Sequence, residues 1–204
     1  MTHHRAILLI GPTGVGKTPL GDFLEENGLK GKRCFHFDFG AQLRKIADTP
    51  KPNNRFSSKD INFIKKVLDT GALLENEHFP IARKIIDSFI SQKGITDKDL
   101  IILNGLPRHI GQAEDVDSIL DIEVVIYLSG TLEIIFQRLQ TNAGGDRAGR
   151  IDDDLQSIKN KLELFNKRTE LLLDYYRFRQ IRIETINIRQ DTAAEEVYDS
   201  LMSL

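Results

Sequence analysis

Apolar residues gather along the chain in short runs at residues 6–10, 34–37, 100–103, 124–128 and 181–186, closed by turn formers and separated by stretches of helical period. Runs of that length predict strands, and their alternation with helices predicts an α/β fold with a central five-stranded parallel sheet flanked by helices. Ile101, Ile102 and Leu103, like Val124, Val125 and Ile126, are apolar at every position, the pattern of central strands buried on both faces.

Between the second and third runs the chain continues for roughly sixty residues without a strand pattern, more than one crossover helix needs. A helical insertion is expected there. Phe63, Ile64, Val67 and Leu68 mark one amphipathic helix, and Ile81, Ile85, Ile86, Phe89 and Ile90 mark another. Pro50, Lys51, Pro52, Asn53 and Asn54 read as a loop. Residues 142–149 carry three glycines among small residues, which predicts a mobile flap. A long helix is expected over residues 155–176, with Asp152, Asp153 and Asp154 ahead of it where carboxylates cap a helix and suit its dipole.

The first apolar run ends in Gly11, Pro12, Thr13, Gly14, Val15, Gly16, Lys17 and Thr18, followed by a helical pattern. Strand, glycine-rich loop and helix in that order form a phosphate loop. The glycines let backbone N–H groups converge on phosphate oxygens, Lys17 adds a mobile cation, and the Thr18 hydroxyl is a ligand for Mg²⁺. ATP or a similar triphosphate is therefore the expected ligand.

With 204 residues, 40% of them hydrophobic and 28% charged, the chain has the composition of one globular domain with a substantial core. Its net charge of −2 gives no global attraction for nucleic acid or an anionic membrane, so neither is an expected partner. A single cysteine, Cys34, allows no internal disulfide and no cysteine-rich zinc site. The opening apolar run is too short for a signal peptide or a membrane span. A cytoplasmic protein is expected, with His3 and His4 in a solvated tail.

Phosphoryl transfer requires cations around the moving group and exclusion of water. Arg44 in the insertion, Arg108 after the third strand, Arg138 before the flap, and Arg147 and Arg150 within or beside it are candidates. Asn104, Gly105, Leu106, Pro107 and Arg108 turn the chain sharply at the carboxyl end of a buried strand, where open α/β sheets bind ligands. Gln112, four residues on, carries an amide able to pair with a nucleobase edge.

The succession is more specific than its parts. The glycine-rich loop with Lys17, then Gly40-Ala-Gln-Leu-Arg44, Asp69-Thr-Gly71-Ala-Leu73-Leu74, Gly105-Leu-Pro-Arg108 with Gln112-Ala-Glu114, and Arg150-Ile-Asp152-Asp153 resembles the adenylate kinase family of nucleoside monophosphate kinases. The resemblance spans nearly the whole chain. It implies a P-loop NTPase fold with a core of residues 1–37, 75–141 and 150–204, a helical insertion at 38–74 that binds the monophosphate, and a short lid at 142–149. The activity it implies is transfer of the ATP γ-phosphoryl group, with Mg²⁺, to AMP or another nucleoside monophosphate by a monomeric enzyme.

Site roles follow from the same resemblance. Gly11 to Thr18 hold the donor phosphates, with Arg138 beside the donor adenine. Arg44 and Arg108 clamp the acceptor phosphate, Gly71, Leu73 and Leu74 line its sugar and base, with Phe39, Gly40 and Gly105 beside them, and Gln112 reads the base. Arg147 and Arg150 descend with the lid onto the transferring group, oriented by Asp152 and Asp153. The sequence departs from the family pattern at four places. Thr18-Pro19 follows the P-loop lysine where Gly-Thr is usual, though proline suits a first helical turn. Asn104 replaces the acid before Gly-x-Pro-Arg that helps hold hydrated Mg²⁺, leaving Thr18 with Asn104 to hold the ion through water. Lys161 replaces an arginine and loses its bidentate fork. Phe39 occupies a place where a small residue or threonine faces the acceptor base. Asn104, Lys161 and Phe39 motivate an alternative, an ATP-binding regulatory module with a degenerate site. A third reading, a P-loop transferase such as an RNA prenyl transferase, shares only the loop.

Overall fold

A computed structural model describes residues 3–49, 52, 55–72, 74–145 and 155–203. Five parallel strands, β1 (His4–Ile10), β2 (Cys34–Asp38), β3 (Leu100–Asn104), β4 (Leu120–Ser129) and β5 (Arg182–Asn187), form one sheet in the order β2-β3-β1-β4-β5. The expected sheet is therefore present.

Side-chain alternation along the strands builds two apolar layers. Ala6, Leu8 and Ile10 of β1 join Phe37, Ile101, Leu103 and Val125 on one face, while Ile7 and Leu9 join Cys34, Leu100, Ile102 and Ile126 on the other. The first face is covered by α2 (Phe39–Ala47), α3 (Ser58–Thr70), α4 (Phe79–Lys93), α5 (Ile110–Asp117) and α8 (Leu171–Phe178), through residues such as Leu43, Ile64, Ile86, Val116 and Leu172. The second lies under α1 (Lys17–Asn27), α6 (Leu132–Gln140), α7 (Leu155–Leu164) and α9 (Ala194–Met202), through Leu20, Leu24, Ile135, Ile158 and Val197. All residues of β3 are buried, as its unbroken apolar run requires.

Three expectations change. β4 begins at Leu120 rather than 124, because buried Leu120 and Ile122 alternate with exposed Asp121 before the continuous run starts. A register shift between Ala6 and Ile7 gives β4 one extra residue, Glu123, whose carboxylate pairs with Arg5. His4 is not tail: it opens β1 opposite Leu120, with its Nδ1 buried and unbonded. The helix over 155–176 is broken by a π-turn at Phe165–Thr169, closed by the Glu170 N–H on the Phe165 carbonyl. Buried Thr169 donates its hydroxyl to the Arg108 carbonyl at 2.9 Å, so the widened turn joins this helix to the loop after β3.

Between β2 and β3 the chain folds into α2, α3 and α4 rather than a single crossover helix. Ser57 and Asp60 cap α3 reciprocally, and Gly71 ends it in the left-handed region at φ 64°. Asp38, the last residue of β2, caps α2 by accepting from the Ala41 N–H at 2.8 Å.

Helix α1 passes so close to β2 that a Cβ on Gly21 would lie 2.3 Å from the buried His36 ring. Gly21→Ala is expected to destabilise the fold by about 1–3 kcal/mol through overpacking. A urea unfolding midpoint equal to wild type would contradict this.

Candidate functional site

The carboxyl ends of β1, β3 and β4 meet where the chain connections leave to opposite sides of the sheet, and the phosphate loop sits there. Gly14 and Gly16 take φ values of 83° and 99°, which turn the loop before α1 begins at Lys17. The Lys17 ammonium donates to the carbonyls of Gly11 and Pro12 at 2.7 and 2.8 Å. This holds a cation at the mouth of the loop. Thr13 and Thr18 are half-buried, and Val15 is buried in the second apolar layer.

Beneath Thr18 lies a continuous polar network. The Thr18 hydroxyl donates to Asp38 Oδ2 at 2.9 Å, and Asn104 Nδ2 stands 3.2 Å from both Thr18 Oγ1 and Asp38 Oδ2. Asn104 Nδ2 also lies 3.3 Å from His36 Nε2, while His36 Nδ1 is 2.7 Å from Asp22 Oδ1. An amide nitrogen only donates, so His36 Nε2 accepts and Nδ1 carries the proton toward Asp22. Asp38 and Asn104 are register partners on adjacent strands. Asp22, His36 and Asp38 therefore join a site in which the sequence reading had placed only Thr18 and Asn104.

The described arginines divide sharply by partner. Arg5, Arg33, Arg83, Arg168, Arg177, Arg179, Arg182 and Arg189 pair with carboxylates, and Arg55 and Arg138 donate hydrogen bonds. Arg44 and Arg108 have no side-chain partner among the described residues. Arg108 is half-buried, and burial pushes its pKa down, although a guanidinium stays charged. A desolvated cation without a counter-charge is a site for an anion. Arg44 projects beside Gly40, where a Cβ would stand 3.4 Å from its Nη1.

The loop after β3 is fixed from several sides. Gln112, expected to read a base, is 1% exposed and uses both ends of its amide on backbone: Oε1 accepts from the Arg108 N–H at 2.7 Å and Nε2 donates to the Leu74 carbonyl at 2.7 Å. His109 Nε2 donates to the same carbonyl at 2.9 Å. Arg168 grips Glu75 through both guanidinium nitrogens, which holds that carboxyl below its ordinary pKa. Gly105 takes φ 84° beside Phe39, whose ring is 6% exposed and stacks on Phe37 at 6.2 Å between centroids. Phe39 thus belongs to the core.

Arg138 is 4% exposed and donates to four carbonyls, those of Gly14 at 3.2 Å, Arg189 at 2.9 Å, Gln190 at 3.0 Å and Thr192 at 2.9 Å. It fastens the phosphate loop to the segment between β5 and α9. A cleft of about 170 Å³ opens beside these residues, lined by Val15, Gly16, Pro19, Ile188 and Val197 as well as Arg138. Its lining mixes polar groups with apolar side chains from the phosphate loop and from the segment between β5 and α9. Lys161 is half-buried on α7. Leu73, Arg147, Arg150, Asp152 and Asp153 lie outside the described residues.

Known proteins are similar to this chain in sequence. The adenylate kinase family model matches residues 9–181. Curated relatives named adenylate kinase include proteins from Prochlorococcus marinus strain MIT 9515, 27% identical over 84% of each chain, and from Haloarcula marismortui, 26% identical over 83% of each chain. Another, from Natronomonas pharaonis, is 24% identical over 97% of this chain and 95% of its own.

The contrast between Arg138 and Arg108 predicts opposite effects on the ligand-free protein. Arg138→Lys removes the fork that satisfies four carbonyls and is expected to cost about 1–3 kcal/mol. Arg108→Met removes an unpaired, desolvated charge and is expected to stabilise by about 1 kcal/mol. Urea denaturation without ligand checks both, and equal losses would contradict the division.

Proposed function

The chain belongs to the adenylate kinase family, and from that premise we propose that it transfers the γ-phosphoryl group of ATP to AMP in the presence of Mg²⁺. Membership makes it a phosphotransferase acting on nucleoside monophosphates. It also leaves no place for an RNA prenyl transferase. The acceptor is proposed as AMP because the curated relatives carry the name adenylate kinase.

The observation that carries the reading is the pair of guanidinium groups with no side-chain partner among the described residues, Arg108 half-buried just after β3 and Arg44 exposed on α2. The donor triphosphate lies along the N–H groups of residues 11–18 with Lys17 against its outer phosphates. Its base occupies the cleft beside Arg138. The acceptor phosphate is held between Arg44 and Arg108, and one of its oxygens attacks the γ-phosphorus as the bond to the β–γ bridging oxygen breaks. Two diphosphates result, and no proton transfer is required of the protein at neutral pH. Mg²⁺ bound with ATP would supply charge neutralisation on the phosphate oxygens. The Thr18 hydroxyl fits it as a hard oxygen ligand.

Within this proposal residues 38–74 and 142–149 are the parts that close, because water would otherwise accept the phosphoryl group. Arg147 and Arg150, oriented by Asp152 and Asp153, complete the cationic cage, and Lys161 adds charge from α7. Gln112 is assigned to shaping the acceptor wall. Its amide holds Leu74 and Arg108 rather than a base.

A coupled assay of ADP formation from ATP with AMP, CMP, UMP, dTMP or GMP tests the reading. AMP is expected to be the best acceptor, and Lys17→Ala or Arg108→Ala to lower turnover by about 10²–10³-fold. Nucleotide binding without transfer to any monophosphate would replace the enzyme by the ATP-binding regulatory module that Asn104, Lys161 and Phe39 motivate.

A further inference from the structure

Asn104 ends β3 where the family resemblance implies a carboxylate, and an amide cannot supply the negative charge that attracts a divalent cation. The sheet compensates in register. Asp38, the last residue of β2, is paired directly with Asn104, and its Oδ2 approaches the Thr18 hydroxyl to 2.9 Å. We propose that Asp38 is the carboxylate that holds the Mg²⁺ of the bound nucleotide beside Thr18, with Asn104 as its positioning residue. The inference rests on the kinase reading above and adds to it a residue in which the acid has moved one strand across the sheet.

The donor chemistry fits. Mg²⁺ prefers hard oxygens and is usually held by one or two carboxylates together with substrate phosphates, not by a dedicated protein cage. Among the described residues no three His, Cys, Asp or Glu side chains gather as such a cage. One carboxylate beside the P-loop hydroxyl is the arrangement P-loop NTPases require. Because the Thr18 hydroxyl spends its hydrogen on Asp38, its oxygen keeps lone-pair capacity for a cation.

Asn104 is oriented for this purpose. Its Nδ2 faces Asp38 Oδ2 and His36 Nε2, both acceptors, so reversing the amide would set its carbonyl oxygen against the carboxylate. His36, held by Asp22 on its other nitrogen, fixes the amide from behind. Asp38 Oδ1 is meanwhile occupied by the Ala41 N–H at the start of α2, which leaves Oδ2 as the oxygen facing Thr18.

Asp38→Asn tests the idea with little structural cost, since asparagine caps a helix as well as aspartate does. Calorimetric titration of ATP in Mg²⁺ and in EDTA gives the enhancement of binding by the ion. In Asp38→Asn the enhancement is expected to fall by about 10–100-fold, while ATP binding in EDTA is unchanged or tighter, because a repelling charge has gone. Adding Asn104→Asp to that variant is expected to restore the enhancement by returning the carboxylate to the paired strand. The proposal is overturned if Asp38→Asn retains the full Mg²⁺ enhancement, or if ATP binding weakens equally with and without the ion. Either result beside normal ADP formation by the wild type would leave the kinase reading standing.

Discussion

A guanidinium withdrawn from water without a counter-charge is the constraint around which the site is arranged. Among the described residues Arg108 stands in that condition just beyond β3, and its backbone is held at both ends: the N–H by Gln112 and the carbonyl by Thr169. Charges are normally buried only when paired, because desolvation costs several kcal/mol or more. Keeping this one unpaired requires a rigid frame. Buried β3, the π-turn that brings Thr169 inward, and the Leu74 carbonyl shared by Gln112 and His109 supply it. The positive charge is then available to an anionic substrate.

The frame also connects the two halves of the site. Thr18 at the start of α1 is tied to the ends of β2 and β3 through Asp38 and Asn104, so the phosphate loop and the two strand ends share one polar network. Arg138 does comparable work on the other side, fastening Gly14 to the segment before α9. A buried arginine that serves backbone carbonyls and a half-buried arginine that serves none thus stand in the same molecule, and their surroundings separate scaffold from site.

Much of this was legible in the chain. Apolar runs located the strands, and the strand, glycine-rich loop and helix located the phosphate site, because both signals are local. Residues 120–123 were missed as strand because Asp121 and Glu123 interrupt the run, although Leu120 and Ile122 face inward. The π-turn was invisible, since one added residue hardly disturbs helical periodicity. Arg44, Arg108 and Arg138 looked alike in sequence; only tertiary contacts reveal that one of them is satisfied by backbone. Gln112 was read as available to a base because the carbonyl that claims it belongs to Leu74, 38 residues earlier. Asp38 drew no attention, as an acid at a strand end is also an ordinary helix cap, and its contact with Thr18 spans twenty residues.

The central claim, that Arg44 and Arg108 form a site for the acceptor phosphate, is tested most directly by calorimetric titration of the ligand-free protein with AMP and with adenosine. Loss of the phosphate is expected to weaken binding by about a hundredfold or more. Adenosine binding as tightly as AMP would contradict the account.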